Sequence, residues 1–274
     1  MIKYIIHTGD IHIRNNRRMD EYKTKLQWFI DKCTKFCKEH NPEEVRIVVA
    51  GDIVHSKTEL SPECYTMVSW FFNELDNICK TIVIAGNHDK IQNFDRLDPL
   101  TAIFNMCNFK QVYFLDMETG YASDCFSDDN VIWCLYSCFD NFAKPPIKEA
   151  AISSPNSALI GLFHGELTSS KTDTGYVSSE GIDPSYFADV DFALMGHIHK
   201  RQCIDYEGTK LVYCGSLVQQ DHGENLSKHG FLIWDIESQT YQEVDYSDEN
   251  YGFYTFKIKN EEDIEKDEEE ILNL

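Results

Sequence analysis

Short apolar runs recur along most of this chain, separated by polar stretches. Ten of them read as strands: Lys3–His7, Arg46–Ala50, Thr81–Ala85, Val112–Leu115, Val131–Tyr136, Ala158–Phe163, Phe192–Met195, Lys210–Cys214, Phe231–Ile236 and Thr240–Val244. In VRIVVAGD and KTIVIAGNHD the β-branched and apolar residues are nearly continuous. That pattern predicts strands buried on both faces. Between the early strands the period changes. Over Met19–His40 the residues Tyr22, Leu26, Phe29, Ile30, Cys33, Phe36 and Cys37 recur at helical spacing. Ser61-Pro62 supplies an N-cap followed by proline at the first helical position, and the helix it opens presents Tyr65, Val68, Phe72, Leu75 and Ile78. A third helix follows Pro99. Strands and helices alternate three times and strands then dominate. This order predicts an α/β fold, built as one sheet core or as a layered α/β/β/α sandwich with helices on the outer faces.

The stretch Gly165–Gly181 is rich in Ser, Thr and Gly and reads as a surface loop. Residues 1–250 are expected to form one domain. Residues 251–274 are expected to begin a cap region or to form an acidic, partly disordered tail, since YGFYTFKI alternates like an opening strand before the charge run.

Composition narrows the class. At 274 residues and 42% hydrophobic content the chain can bury a sizeable core. No run reaches membrane-span length, and MIKYIIHTGD does not read as a secretion signal. The ten cysteines form no CxxC pair; they read as reduced core residues of a cytoplasmic protein. Formal charge is −21. The acidic run from Glu261 to Glu270 carries −7, which leaves about −14 for the rest. That balance argues against binding nucleic acid through bulk electrostatics, though bound cations can invert a local field.

Polar clusters follow the C-terminal ends of the strands: Asp10-Ile-His12, Gly51-Asp52-Ile-Val-His55, Gly86-Asn87-His88-Asp89, His164-Gly165 and Gly196-His197-Ile-His199. In α/β folds ligands bind at that edge. Six of the ten histidines fall in these clusters, a grouping that scattered histidines would not give. Asp-x-His and His-x-His place both side chains on one side of an extended backbone. Imidazole and carboxylate without thiolate suit manganese, iron or zinc. His7, His40, His222 and His229 lie outside any such motif and carry no assigned role. Arg14, Arg17 and Arg18 (RNNRR) form a candidate for phosphate contact, or an ordinary surface loop. Tyr176 is a weaker candidate for base stacking.

Taken in order, D-x-H, G-D-x-x-H, G-N-H-D, H-G and G-H-x-H resemble the calcineurin-like metallophosphoesterases, over Asp10 to His199. The fold implied is the α/β/β/α metallophosphoesterase sandwich. Within that superfamily GDIH, GDIVHS, GNHD, FHGE, MGHIHKRQ and VYCGSLVQQD are most similar to the nuclease subunit of SbcCD-type DNA repair complexes and the related phage recombination endonuclease subunit.

The resemblance implies two divalent metal ions roughly 3.5–4 Å apart. Asp10, His12, Asp52 and His199 would hold one; Asp52, Asn87, His164 and His197 would hold the other. Manganese is the expected metal, with magnesium, iron(II) and zinc as alternatives. His88 would stabilise charge at phosphorus or protonate the leaving oxygen, Asp89 would orient His88 through a hydrogen bond, and His55 would act near the scissile phosphate. DNA is the implied substrate, cut by exonuclease and single-strand endonuclease action in repair or recombination. A coiled-coil SbcC-type ATPase subunit and a second copy of the chain are the implied partners, with no membrane. Two alternatives stay open: a phosphoesterase of nucleotides, phosphoproteins or other small phosphoesters, and a non-catalytic scaffold, which the intact ligand set argues against.

Overall fold

The computed structural model describes residues 1–91, 96–247 and 251–254. Its first half runs β1 (Tyr4–Thr8), α1 (Met19–Glu39), β2 (Val45–Ala50), α2 (Pro62–Asp76), β3 (Thr81–Ile84), α3 (Pro99–Met106), β4 (Val112–Phe114) and α4 (Leu115–Glu118). Then follow β5 (Asp124–Asp128), β6 (Val131–Tyr136), α5 (Ile147–Ser153), β7 (Ala158–His164), β8 (Phe192–Gly196), β9 (Gln202–Tyr206), β10 (Thr209–Tyr213), β11 (Gly230–Asp235) and β12 (Thr240–Asp245). The strands form two six-stranded sheets, ordered β12-β11-β1-β2-β3-β4 and β5-β6-β7-β8-β10-β9. In each sheet the inner strands that carry the polar clusters are parallel, so their C-terminal ends share one edge.

Alternation along the buried strands sorts side chains into three apolar layers. In β2, Ile47 and Val49 face α1 and α2, while Val48 faces the second sheet. In β3, Val83 joins the helix layer and Ile82 and Ile84 the layer between the sheets. In β6, Trp133 and Leu135 point inward, and Ile132, Cys134 and Tyr136 point to the far face. That far face is covered by α5, the short turn Pro184–Phe187 and loop residues such as Leu167. The result is the α/β/β/α sandwich that the pattern predicts. Among the described residues no helix is long and apolar enough to cross a membrane.

The predicted N-cap of α2 forms, and α3 gains one from Asp98. Ser61 accepts from the Cys64 amide at 3.2 Å, and Pro62 opens α2. Asp98 accepts from the Thr101 amide at 2.8 Å ahead of Pro99. Two strands escape the apolar pattern, β5 and β9, and both are sheet edges. Their sequences, DCFSD and QCIDY, leave one face in solvent, so no continuous apolar run marks them. Short helices α4 and α5 were also not expected. Leu115, predicted as a strand end, instead starts α4. All ten cysteines are free thiols, with Cys203 exposed and most of the others buried. Of the strand predicted over Tyr251–Ile258, residues 251–254 are irregular, and the rest, like the acidic run, lies outside the described residues.

Across the middle layer Phe192 of β8 stacks on Trp234 of β11 at 4.6 Å and 10°. Away from the polar edge, Arg46 of β2 and Lys80 both reach Asp128 of β5, at 2.7 and 2.9 Å. Trp234→Ala should lower stability by about 3–5 kcal/mol in urea unfolding, the cost of an unfilled aromatic site. Trp234→Phe should lose clearly less, because it keeps the stack and removes an indole N–H that is buried without a partner.

Candidate metal centre

Seven predicted ligands meet where the two sheets share their polar edge. The first sheet supplies Asp10 and His12 after β1, Asp52 after β2 and Asn87 after β3; the second supplies His164 at the end of β7 and His197 and His199 after β8. Four of them hold left-handed backbone, with φ 49° at Asp10, 51° at His12, 52° at Asp52 and 96° at His197. Such conformations cost about 1–3 kcal/mol each in non-glycine residues and concentrate at functional sites. The loops after β1 and β2 are zipped together: the amides of Asp10, His12 and Ile13 donate to the carbonyls of Gly51, Asp52 and Ile53 at 2.8–3.0 Å. A side chain at Gly86 would run into the Asp52 carboxylate, so the close approach of the loop after β3 to the loop after β2 requires glycine there.

Asp52 is central. Its Oδ2 lies 3.3 Å from His12 Nε2 and 3.3 Å from His164 Nε2. Its Oδ1 accepts from the His88 amide at 2.7 Å. His12 Nε2 and His199 Nε2 are 3.1 Å apart. The His164 Nδ1–H donates to the Ala50 carbonyl at 2.7 Å, which turns Nε2 toward Asp52. His164 Nε2 is buried and makes no hydrogen bond. The potential donors fall into groups whose ligand atoms lie within 4.8 Å of one another: Asp10, His12 and His199; Asp52, His164 and His197; and His12, His55 and His88. The first two fall within the two halves of the predicted ligand set, without Asp52 in the first and Asn87 in the second. Asn87 Oδ1 sits 2.9 Å from His197 Nδ1, and Asp10 accepts from the His197 amide at 2.9 and 3.0 Å.

The electrostatics call for positive charge at this point. Burial works against the imidazolium of His164, yet the adjacent Asp52 carboxylate raises its pKa to about 10. Burial lifts Asp10 to about 6 despite the neighbouring His164 and His199. Burial also holds His12 well below the ordinary histidine value and His197 down to about 4. The donors of Asp10, His12, Asp52, His164, His197 and His199 gather closely enough to hold a cation there. Neutral imidazoles and carboxylates with converging lone pairs suit a divalent metal.

The predicted catalytic residues separate. His88 lines the cleft; its Nδ1–H donates to the His55 carbonyl at 2.8 Å, so Nε2 is the nitrogen left for a substrate. Its ring stacks on His55 at 5.1 Å and meets His12 edge-on at 4.7 Å. Asp89 does not take the expected hydrogen bond from His88. Its buried carboxylate instead accepts from the amides of Ile53, Val54 and Gly86 at 2.9–3.2 Å. Three buried N–H donors need this acceptor, and the His88 ring is served elsewhere. Asp89 therefore locks the Asp52 loop to the Asn87 turn. His55 Nε2 lies 3.2 Å from Arg14 Nη1. Arg14 is always a donor, so His55 is the acceptor there and carries its proton on Nδ1.

The motifs missed Glu224. Its Oε1 accepts from His199 Nδ1 at 2.5 Å, and its Oε2 from Ser216 Oγ at 3.1 Å and the Gln220 amide at 2.9 Å. Burial alone would raise its pKa; the hydrogen bond from His199 lowers it instead. A carboxylate behind a ligating imidazole fixes its tautomer and ring plane. Glu224 belongs to the tail of VYCGSLVQQDHGE, where no spacing rule ties it to His199. His229, given no role from sequence, props Ser216 through Nδ1 at 3.1 Å.

Five of the predicted ligands, His12, Asp52, Asn87, His197 and His199, line a two-lobed cleft. One lobe, about 180 Å³, is lined by Arg14, His55, His88 and Gln220; the other, about 240 Å³, by Thr172, Asp173, Thr174, Lys200 and Glu224; His197, His199 and Asp221 line both. The predicted loop thus reaches the site through residues 172–174, while Tyr176 is exposed and lines neither lobe. Of the RNNRR segment only Arg14 reaches the cleft. Arg17 is exposed, and Arg18 is held by Glu21 at 2.6 and 2.7 Å and by the Gln219 carbonyl.

Glu224→Gln keeps an acceptor for His199 but removes its charge. Titration calorimetry with Mn²⁺ should show affinity about 10- to 100-fold weaker at one site, with the fold intact by circular dichroism. Unchanged affinity would reduce Glu224 to a packing role.

Residues 3–201 match the calcineurin-like phosphoesterase family. Uncharacterized protein R555 of Acanthamoeba polyphaga mimivirus is 36% identical over 273 residues, 96% of this chain and 19% of that protein. The SbcD component of the nuclease SbcCD from Escherichia coli K12 is 29% identical over 104 residues, 37% of this chain and 25% of that protein. The chain thus spans about a fifth of the mimivirus relative's length, and its match to the bacterial nuclease component covers a quarter of that protein. Among solved structures, TT1561 of Thermus thermophilus matches with a TM-score of 0.49 at 10% identity, over 89% of this chain and 99% of that one. The family match takes in every ligand from Asp10 to His199, and the chain belongs to the calcineurin-like phosphoesterases, a family of metal-dependent hydrolases.

Proposed function

We propose that this chain is a two-metal phosphodiesterase that cuts DNA in double-strand break repair or recombination. The observation that carries the two-metal reading is Asp52 Oδ2, flanked at 3.3 Å by imidazole nitrogens from His12 and His164, one in each donor group. In this reading Asp10, His12, Asp52 and His199 hold one ion, and Asp52, Asn87, His164 and His197 hold the other. Manganese fits the mixed nitrogen and oxygen donors. When bound, the two ions supply Lewis acidity toward a phosphate and lower the pKa of an attacking water.

The chain's own residues do the rest. The His55 carbonyl fixes the His88 ring, so that Nε2 can place a proton on the leaving oxygen or a hydrogen bond on the phosphate. Asp89 keeps the Asp52 loop and the Asn87 turn in register. Glu224 holds the His199 ring. The partial similarity to the SbcD component of the bacterial nuclease supports DNA as substrate. By the same likeness we propose a homodimer bound to a coiled-coil ATPase subunit. The ten free thiols support a reducing, cytoplasmic setting.

A second reading has its own support. The net charge of −21 and the carboxylates of Asp173, Asp221 and Glu224 beside the second lobe suit a nucleotide or other small phosphoester better than a polyanion. Mn²⁺-dependent digestion of end-labelled duplex and single-stranded circular DNA, beside bis-p-nitrophenyl phosphate and p-nitrophenyl phosphate, separates the two. The nuclease reading expects shortened duplex and linearised circles. Intact DNA beside rapid turnover of a small ester would favour the second reading. His88→Ala should keep Mn²⁺ binding in calorimetry yet lose about 10²- to 10⁴-fold in turnover; retained turnover would remove His88 from the chemistry.

A further inference from the structure

Arg14 stands two residues beyond His12 and lines the smaller lobe of the cleft with His55 and His88. The groups within hydrogen-bond reach of its guanidinium are neutral. Nη1 donates to His55 Nε2 at 3.2 Å, and Nη2 lies 3.4 Å from the Gln220 carbonyl and 3.5 Å from Gln220 Oε1. Nε is buried with no hydrogen-bond partner. Three other arginines are each paired with carboxylates: Arg18 with Glu21, Arg46 with Asp128, and Arg201 with Glu243 and Asp245. Among the described residues Arg14 pairs with none. A half-buried guanidinium set against neutral acceptors, two of them at the long limit of a hydrogen bond, has lost hydration without a compensating charge. A phosphate entering the lobe would supply that charge at hydrogen-bond distance.

The opposite lobe is more acidic. It presents Asp173, Asp221 and Glu224 beside Thr172 and Thr174, with Lys200 as its basic residue. Asp52 and Asp221 line the Arg14 lobe as well, but among the described residues neither forms an ion pair with Arg14, whose guanidinium stays without a carboxylate partner. We infer that Arg14 is a phosphate-binding residue, whose guanidinium fork takes oxygens of a substrate phosphate in the lobe lined by His55 and His88. The inference rests on the phosphoesterase reading of the site. His55 serves it as a positioning residue: its Nε2 lone pair holds Nη1 and leaves the remaining donors for two oxygens. The phosphate is either the one being cleaved or its neighbour along a polynucleotide, since a guanidinium recognises both alike.

Arg14→Ala, Arg14→Gln and Arg14→Lys are compared with wild type in Mn²⁺ on bis-p-nitrophenyl phosphate, which has one phosphate, and on a dinucleotide with and without a 5′-phosphate. Thermal melting and Mn²⁺ calorimetry report on folding and on the ligand set. Arg14→Ala and Arg14→Gln are expected to lose about 10- to 100-fold in kcat/KM, mainly through KM. Lysine should keep part of that, and added guanidinium ion should restore part of the Arg14→Ala activity without affecting wild type. Loss on every substrate supports contact with the reacting phosphate; loss confined to the phosphorylated dinucleotide supports contact with its neighbour. Folded, metal-binding variants that match wild type on all substrates, or that guanidinium fails to rescue, overturn the inference. A wild-type chain that hydrolyses none of these esters overturns the phosphoesterase reading instead.

Discussion

A buried carboxylate between two imidazoles is the constraint on which the rest of the molecule depends. Asp52 brings a negative charge to a place nearly sealed from water, within 3.3 Å of ring nitrogens contributed by both sheets. Such a group is costly unless it is compensated. The compensation comes from several directions: the His88 amide on Oδ1, the imidazole of His164, and whatever cation the converging donors accept. Every one of these partners must arrive from a different strand end, so the parallel strands and their shared edge are a condition of the charge being tolerated there.

The same demand explains the unusual backbone. Asp10, His12, Asp52 and His197 hold left-handed conformations that none of them would choose in isolation. They are imposed by the zipped loops after β1 and β2, by the Asp89 carboxylate gathering three amides, and by strands whose side chains are buried on both faces. Rigidity from the apolar layers is thus converted into fixed donor positions at the edge. The outer shell extends this: Glu224 fixes the ring of His199, and Ser216, Gln220 and His229 fix Glu224 or its partner in turn.

What could be read from sequence follows the range of the interactions involved. β2, β3, β6 and β8 declare themselves, because burial on two faces demands apolar residues at every position. β5 and β9 do not, because an edge strand needs neither. The clustering of the seven candidate ligands was legible since each sits within a few residues of a strand end beside glycine. The roles of Asp89 and Glu224 were not. Asp89 adjoins His88 in the chain, and adjacency suggested a hydrogen bond; folding gives it to Ile53 and Val54, more than thirty residues away. Glu224 meets His199 across 25 residues with no periodicity to link them. Arg14 was visible as one of three arginines, but only the fold separates it from Arg18, which Glu21 neutralises one helical turn away.

The ligands are divided between the sheets: Asp10, His12, Asp52 and Asn87 on one, His164, His197 and His199 on the other. A cation bound among them is thus a fastener between the two halves of the sandwich. Its binding free energy adds to the adhesion of sheet to sheet, and resistance to unfolding rises with the logarithm of free cation concentration. Thermodynamic reciprocity also runs the other way. Damage to the layer between the sheets, even at the Phe192–Trp234 stack far along the strands, lowers apparent cation affinity to the extent that it depopulates the folded state. Core damage and chelation become two routes to one slackened state.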